Sequence, residues 1–137
     1  MEKKKSYIIS EFAKIQCTIS DRQAEQFLRY FELLTEWNAV MNLTAITEFD
    51  EVVEKHFVDS ALLPEYIREN HPKSLIDIGT GAGFPGVPLK ILFPEMKVTL
   101  LDSLNKRIRF LNTVIQELGL ENIEAIHGRA EEYGIKE

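Results

Sequence analysis

Apolar residues recur at helical spacing through the first half of the chain, then gather into short runs in the second. Ile8, Phe12 and Ile15 share one side of a helix expected over 6–18. Ser20-Asp21-Arg22-Gln23 is a capping box, in which the serine and the glutamine each satisfy the other's backbone N–H. Behind it Ala24, Phe27, Leu28, Phe31, Leu34 and Trp37 form a helical stripe. Residues 38–44 break the pattern and read as a loop. Two further helices are expected at 48–56 and about 57–69, the second ending before His71-Pro72.

The second half reads differently. Leu75–Ile78 is a short buried strand. Residues 86–92 form a short helix that tolerates Pro88 because it lies in the first turn. Lys97–Leu101 is a second strand, closed by Asp102. Leu104, Ile108, Leu111, Ile115 and Leu118 mark a helix with Gly119 just past its end. Ile123–Ile126 is a third strand, closed by His127-Gly128.

The order is a series of helical segments, then β-α-β-α-β. Right-handed crossovers predict an α/β fold with a parallel sheet in strand order 3-2-1, preceded by a helical N-terminal subdomain. The expected division is 1–70 for the helical region and 71–137 for the first half of a Rossmann-like domain. Strand 1 is then an apolar edge, which soluble proteins avoid. That predicts a longer parent protein with a C-terminal half beyond this sequence.

Composition narrows the classes. At 137 residues and 45% apolar, the chain can bury a core. The formal charge is −6, and it lies mostly in residues 1–70, which carry −5. Such a total does not advertise a nucleic-acid binder, though a local basic strip can still meet phosphate. One cysteine, Cys17, excludes an internal disulfide and a multi-cysteine zinc site. Its place in an apolar pattern predicts a buried structural thiol. The apolar run after Lys3-Lys4-Lys5 is too short for a signal peptide, and no run is long enough for a membrane span. These features predict a cytoplasmic protein.

The richest segment is Asp77-Ile78-Gly79-Thr80-Gly81-Ala82-Gly83-Phe84-Pro85-Gly86. A strand enters a glycine-rich turn that opens a helix, the arrangement by which α/β folds hold nucleotide-like cofactors. A P-loop is excluded, because Val87-Pro88 follows Gly86 where Lys-Ser/Thr is needed. Gly81 through Gly86 satisfies G-x-G-x-x-G, and Asp102 stands 21 positions after Gly81, so spacing leaves a dinucleotide site open. Two details favour another adenosine cofactor. Asp77 before the glycines would repel a pyrophosphate and attract an ammonium and a sulfonium. The proline-rich start of the 86–92 helix has few free N–H groups for phosphate. Both point to S-adenosylmethionine. Asp77 also suits a purely turn-capping role, and Asp102 a helix-capping one.

These residues resemble motif I of the class I S-adenosylmethionine-dependent methyltransferases. Five ordered segments resemble one family more narrowly. They are Glu36-Trp37-Asn38 with Asn42-Leu43-Thr44, Lys55–Ser60, the glycine turn, Asp102–Arg107, and Arg129-Ala130-Glu131. The family is RsmG (GidB), bacterial guanine-N7 methyltransferases of small-subunit ribosomal RNA. The resemblance implies that Gly79 and Phe84 line the cofactor pocket and that Gly81 and Gly83 allow close backbone approach. It further implies that Asp102 holds the ribose and that Ala130 and Glu131 contact the adenine. With Asp77, Thr80 and Ser103 these make the candidate cofactor set. The family continues past this point with a fourth strand and an Ala-Arg-Ala motif, so the substrate side is expected to be incomplete here.

Guanine N7 carries a lone pair and no proton, so such a reaction needs no general base, and no catalytic residue is nominated. Lys106, Arg107, Arg109 and Arg129 are the candidate RNA contacts, with a solvated helix face as the plain alternative for the first three. His56 and Asp59 sit at i, i+3, but no third ligand lies nearby, so no metal site is expected. Trp37 completes the apolar stripe and reads as core, and Asn42 as a brace for its loop. Two other functions stay open at this point: an NAD-binding oxidoreductase domain, and a non-catalytic ribosomal RNA-binding or regulatory module.

Overall fold

The computed structural model describes residues 2–45, 47–62 and 73–129. Helices α1 (Glu2–Ala13) and α2 (Asp21–Asn38) come first. Next is one helical run made of α3 (Phe49–Val52), a π-helical turn (Val53–Val58) and α4 (Asp59–Ala61). Strand β1 (Ser74–Ile78), α5 (Gly86–Leu92), β2 (Lys97–Asp102), α6 (Asn105–Leu118) and β3 (Ile123–His127) complete the order. The three strands are parallel, with β2 between β1 and β3. This is the expected 3-2-1 sheet.

Local signals explain the boundaries. Ser20 caps α2 through the predicted box: its hydroxyl accepts from the Gln23 N–H, and Gln23 Oε1 accepts from the Ser20 N–H. Gly119 ends α6 in the left-handed conformation, φ 63°, and the Leu120 N–H returns to the Ile115 carbonyl. The start of α2 and the end of α6 therefore fall where side-chain and glycine chemistry requires.

Three expectations need correction. The first helix covers Glu2–Ala13 rather than 6–18. Gln16, at φ 58°, turns the chain, and the Cys17 N–H closes onto the Phe12 carbonyl. Cys17 therefore lies past the helix, half-buried against the core rather than within it. The two helices expected at 48–56 and 57–69 are a single run through Ala61. The π turn absorbs the change of phase that makes the sequence read as two elements. The later part of the second lies outside the described residues.

One core joins the helical region to the sheet. Phe12, Phe27, Tyr30, Leu33 and Phe57 are buried in the same cluster as Val87, Leu89, Val98, Leu100, Phe110 and Val114. Trp37 meets Phe110 edge-on, with ring centroids 5.6 Å apart, and packs partly buried against the core rather than within it. Gln23 and Gln26 pin α2 to the α/β part by donating to the carbonyls of Ile91 and Leu118. Strand β1 is an edge of the sheet, and Ile76 and Ile78 on it are about half exposed, at 47% and 48%. Lys90 is buried with its ammonium on the carbonyls of Pro94 and Met96, and burial lowers its pKa.

Candidate functional site

The carboxyl ends of β1 and β2 lie side by side, because the register pairs Asp77 with Leu100 and Ile78 with Leu101. The glycine turn leaves β1 at this edge, and Asp102 ends β2 beside it. Two carboxylates hold the turn. Asp77 Oδ2 accepts from the Thr80 hydroxyl at 2.6 Å and from the Gly86 N–H at 2.9 Å. It thus bridges the two ends of the turn. Burial raises its pKa, against the lowering effect of those two hydrogen bonds. Its Oδ1 makes no hydrogen bond to a described residue.

Asp102 is the second anchor, and its side chain is 1% exposed. Oδ2 accepts from the Gly81 N–H at 2.9 Å, and Oδ1 accepts from the Leu104 N–H at 2.9 Å. The Arg107 guanidinium stands 3.5 Å from Oδ2. One carboxylate therefore ties the glycine turn, the entry to α6 and a cation on the first turn of that helix. Next to it His127 Nε2 lies 3.0 Å from the Ser103 carbonyl, which joins the end of β3 to the same edge.

The glycines divide into two pairs. Gly79, Gly81 and Gly83 all have positive φ, at 66°, 60° and 103°. A Cβ on Gly79 or Gly81 would meet nothing within 4 Å. A Cβ on Gly83 would sit 2.7 Å from the Tyr30 hydroxyl, and one on Gly86 would sit 2.9 Å from Asp77 Oδ2. The first pair borders open space; the second is packed against the protein itself. This is what a cofactor cradle requires: a bare backbone face turned outward, locked from behind.

The lock includes Tyr30, which sequence reasoning missed. Its hydroxyl donates to the Ala82 carbonyl at 2.5 Å, and the whole side chain is buried. Burial raises its pKa well above the usual phenol value. Its ring stacks on Phe57 at 5.3 Å and lies 5.6 Å from Phe84. Tyr30 lies outside the apolar stripe read along α2, and nothing local names its partner 52 positions away.

His56 also packs on Phe84, parallel to it at 11° and 4.3 Å between centroids. His56 Nε2 is 2.9 Å from the Thr44 hydroxyl, and burial lowers its pKa. The loop carrying Thr44 is braced by Asn38, whose Oδ1 accepts from the N–H groups of Leu43 and Thr44. The bracing residue is therefore Asn38 rather than Asn42. Lys55, His56, Asp59, Ser60, Leu62, Phe84 and Pro85 line a cavity of about 320 Å³ at this corner.

The structure thus gathers Asp77, Gly79, Thr80, Gly81, Gly83, Phe84, Asp102 and Ser103 at one sheet edge. Ala130 and Glu131 lie outside the described residues. Lys106, Arg109 and Arg129 are exposed, whereas Arg107 is half-buried and engaged with Asp102. No cluster of three or more metal-ligating side chains occurs among the described residues. Nor is any described helix long and apolar enough to cross a membrane. A larger cavity, about 570 Å³, sits at the amino ends of β2 and β3, lined by Arg22, Lys90, Glu95 and Glu121 among others. It is remote from the glycine turn.

The model of the family described as rRNA small subunit methyltransferase G (GidB) matches residues 23–137. This chain belongs to that family. A Lactococcus lactis subsp. lactis relative, named ribosomal RNA small subunit methyltransferase G, is 55% identical over 127 residues, covering 92% of this chain and 53% of its own. The relative of the same name from Alkaliphilus metalliredigens is 57% identical over 121 residues, covering 87% of this chain and 50% of its own. The chain spans about half the length of the curated relatives it matches. A crystal structure of a Staphylococcus aureus protein assigned as a caffeoyl-CoA O-methyltransferase aligns with a TM-score of 0.55 at 20% identity. It covers 92% of this chain and 51% of that one, and bears on the fold alone.

Proposed function

We propose that the glycine turn holds S-adenosylmethionine, for methylation of guanine N7 in small-subunit ribosomal RNA by the whole protein, in the cytoplasm. On this reading residues 1–70 form the helical region and 71–137 the first part of the cofactor-binding domain. The observation that carries the reading is the open face of Gly79 and Gly81, flanked by two carboxylates with no lysine or arginine on the turn. Such a face suits a cationic, phosphate-free adenosine ligand.

The cofactor, when bound, supplies an electrophilic methyl on a sulfonium. The chain's own residues bind and orient. Gly79, Thr80, Gly81 and Gly83 offer the backbone of the turn, and Phe84 an apolar wall. Asp77 sets negative charge beside the cationic methionine end. Asp102 and Ser103 would meet the ribose, and the family resemblance gives Ala130 and Glu131 the adenine. The Asp102 carboxylate is screened by Arg107, so ribose contact requires that guanidinium to swing aside. Guanine N7 needs no deprotonation, and the site offers no base. Its contribution is alignment and exclusion of water. Lys106, Arg109 and Arg129 are the exposed cations for RNA phosphate.

A nicotinamide dinucleotide fits less well. The Gly86 N–H that would meet a pyrophosphate is taken by Asp77, and the first turn of α5 contains Pro88. Titration calorimetry tests the two readings. S-adenosylmethionine and S-adenosylhomocysteine should bind, and NAD should not. Binding of NAD with neither methyl-donor ligand would overturn the proposal.

A further inference from the structure

The cavity behind Phe84 has features that cofactor binding leaves unused. It shares Phe84 and Pro85 with the glycine turn, so it opens directly beside the cradle. Its other wall is the π-helical turn Val53–Val58 and the first residues of α4. A π turn inside an α-helix costs hydrogen-bond quality and recurs at functional sites. Here it sets Lys55, His56 and Asp59 around one hollow.

The chemistry of the hollow is specific. One wall is a pair of parallel planar rings, His56 on Phe84. His56 is lowered in pKa by burial and tethered to the Thr44 hydroxyl, so it presents a fixed, uncharged ring at neutral pH. Asp59 is exposed, and its carboxylate has no hydrogen-bond or ion-pair partner among the described residues. Lys55 is exposed at the rim, in a surface pair with Glu51 at 3.3 Å. A volume of about 320 Å³ lies at the low end of the range for small-molecule sites, roughly 300–1,000 Å³.

An aromatic platform, a free carboxylate and a rim cation suit a single unstacked nucleotide. The ring wall takes a base face. A carboxylate accepts two parallel N–H donors, which guanine offers at N1 and N2, and adenine does not. The cation meets the phosphate.

We infer that this cavity seats the target base as guanine, with Asp59 reading its N1 and N2 donors and Lys55 its phosphate. The inference rests on the guanine methylation proposed above. It leaves the opposite edge of the purine, which carries N7, pointing away from Asp59. Sequence spacing of His56 and Asp59 alone suggested neither a pocket nor a base.

Fluorescence anisotropy with a labelled single-stranded RNA octamer, one guanine among uridines, tests it on this chain at low salt. Replacing the guanine by inosine removes only the 2-amino donor. That change should weaken binding by about tenfold, the worth of one hydrogen bond to a charged acceptor. Asp59→Ala should bind the guanine and inosine octamers equally, and should melt at the same temperature as the parent, since Asp59 is exposed. A purely structural role for Asp59 would leave the guanine-to-inosine ratio unchanged. Equal binding of both octamers by the parent, or a tenfold preference retained in Asp59→Ala, overturns the inference. Titration of S-adenosylhomocysteine on the same samples separates the two readings. If it binds while guanine preference is absent, the base pocket fails and the cofactor site stands.

Discussion

The Tyr30 hydroxyl donates to the Ala82 carbonyl, in the middle of the glycine turn, from a helix 52 positions earlier in the chain. The contact is buried, and the tyrosine ring packs with Phe57 and Phe84 in a cluster of three mutually contacting rings. The helical region therefore shapes the glycine turn directly as well as packing on the α/β part. Tyr30→Phe keeps the ring packing and removes the donor. It should cost about 1–3 kcal/mol in chemical denaturation, the penalty for leaving a buried carbonyl unpaired. It should also weaken S-adenosylhomocysteine binding, as read by calorimetry, because the turn loses its rear support.

The two glycine pairs should respond in opposite ways to alanine. Gly86→Ala drives a methyl into Leu100 and the Asp77 carboxylate, and Gly83→Ala into Tyr30 and Val87. Overpacking of this kind costs typically 1–3 kcal/mol and more where backbone must shift. Both variants should melt well below the parent. Gly81→Ala meets no atom and bears only the left-handed penalty, about 1–2 kcal/mol. It should fold and yet lose cofactor binding, because its methyl occupies the open face.

Asp102→Ala removes one buried carboxylate and frees the Gly81 and Leu104 N–H groups and the Arg107 guanidinium together. A loss of about 2–4 kcal/mol in stability is expected from unpaired buried groups. Paired denaturation and binding measurements distinguish this from a ribose contact. The double variant Asp102→Ala with Arg107→Ala should recover neither the stability nor the affinity for S-adenosylhomocysteine, since the Arg107 side chain is 38% exposed and meets water once Asp102 is gone.

Stability should fall as the solution turns mildly acidic, and His56 should account for part of the fall. Burial holds its pKa below the ordinary value near 6.5. The unfolded chain then binds a proton that the folded chain refuses, so folding is fully supported above pH 6.5 and weakens as pH drops through the lowered value. Asp77 works the other way. Its carboxyl is raised, so the folded state takes its proton first, and its unfavourable burial is relieved near the carboxylate range. Melting temperature between pH 7 and 5 should therefore decline less steeply in His56→Phe than in the parent. Parallel slopes would remove His56 from the account.

Much of the architecture was legible from local signals. The capping box at Ser20, the short helix at 86–92 and Gly119 each act through groups only a few residues apart, and the structure places them as read. Parallel order 3-2-1 followed from crossover handedness, which depends on chain chirality alone. The phase of the third helical run was misread because a π turn shifts the register inside what is still one helix. At the site, Asp77 and Asp102 stood out as strand-terminal carboxylates. Their present partners, Gly86, Gly81 and Arg107, include contacts across strands that no spacing rule supplies.

The sequence by itself determined the order of helices and strands, the strand positions and the helices at 21–38, 86–92 and 105–118, and that a carboxylate-flanked glycine turn ends the first strand, because these follow from side-chain periodicity and backbone freedom over short range. Only the tertiary structure decided which glycines face open space, that Tyr30 locks the turn, and that His56, Phe84 and Asp59 share a cavity. Those outcomes depend on how elements far apart in the chain pack against one another, and packing is a property of assembled surfaces that no local pattern encodes.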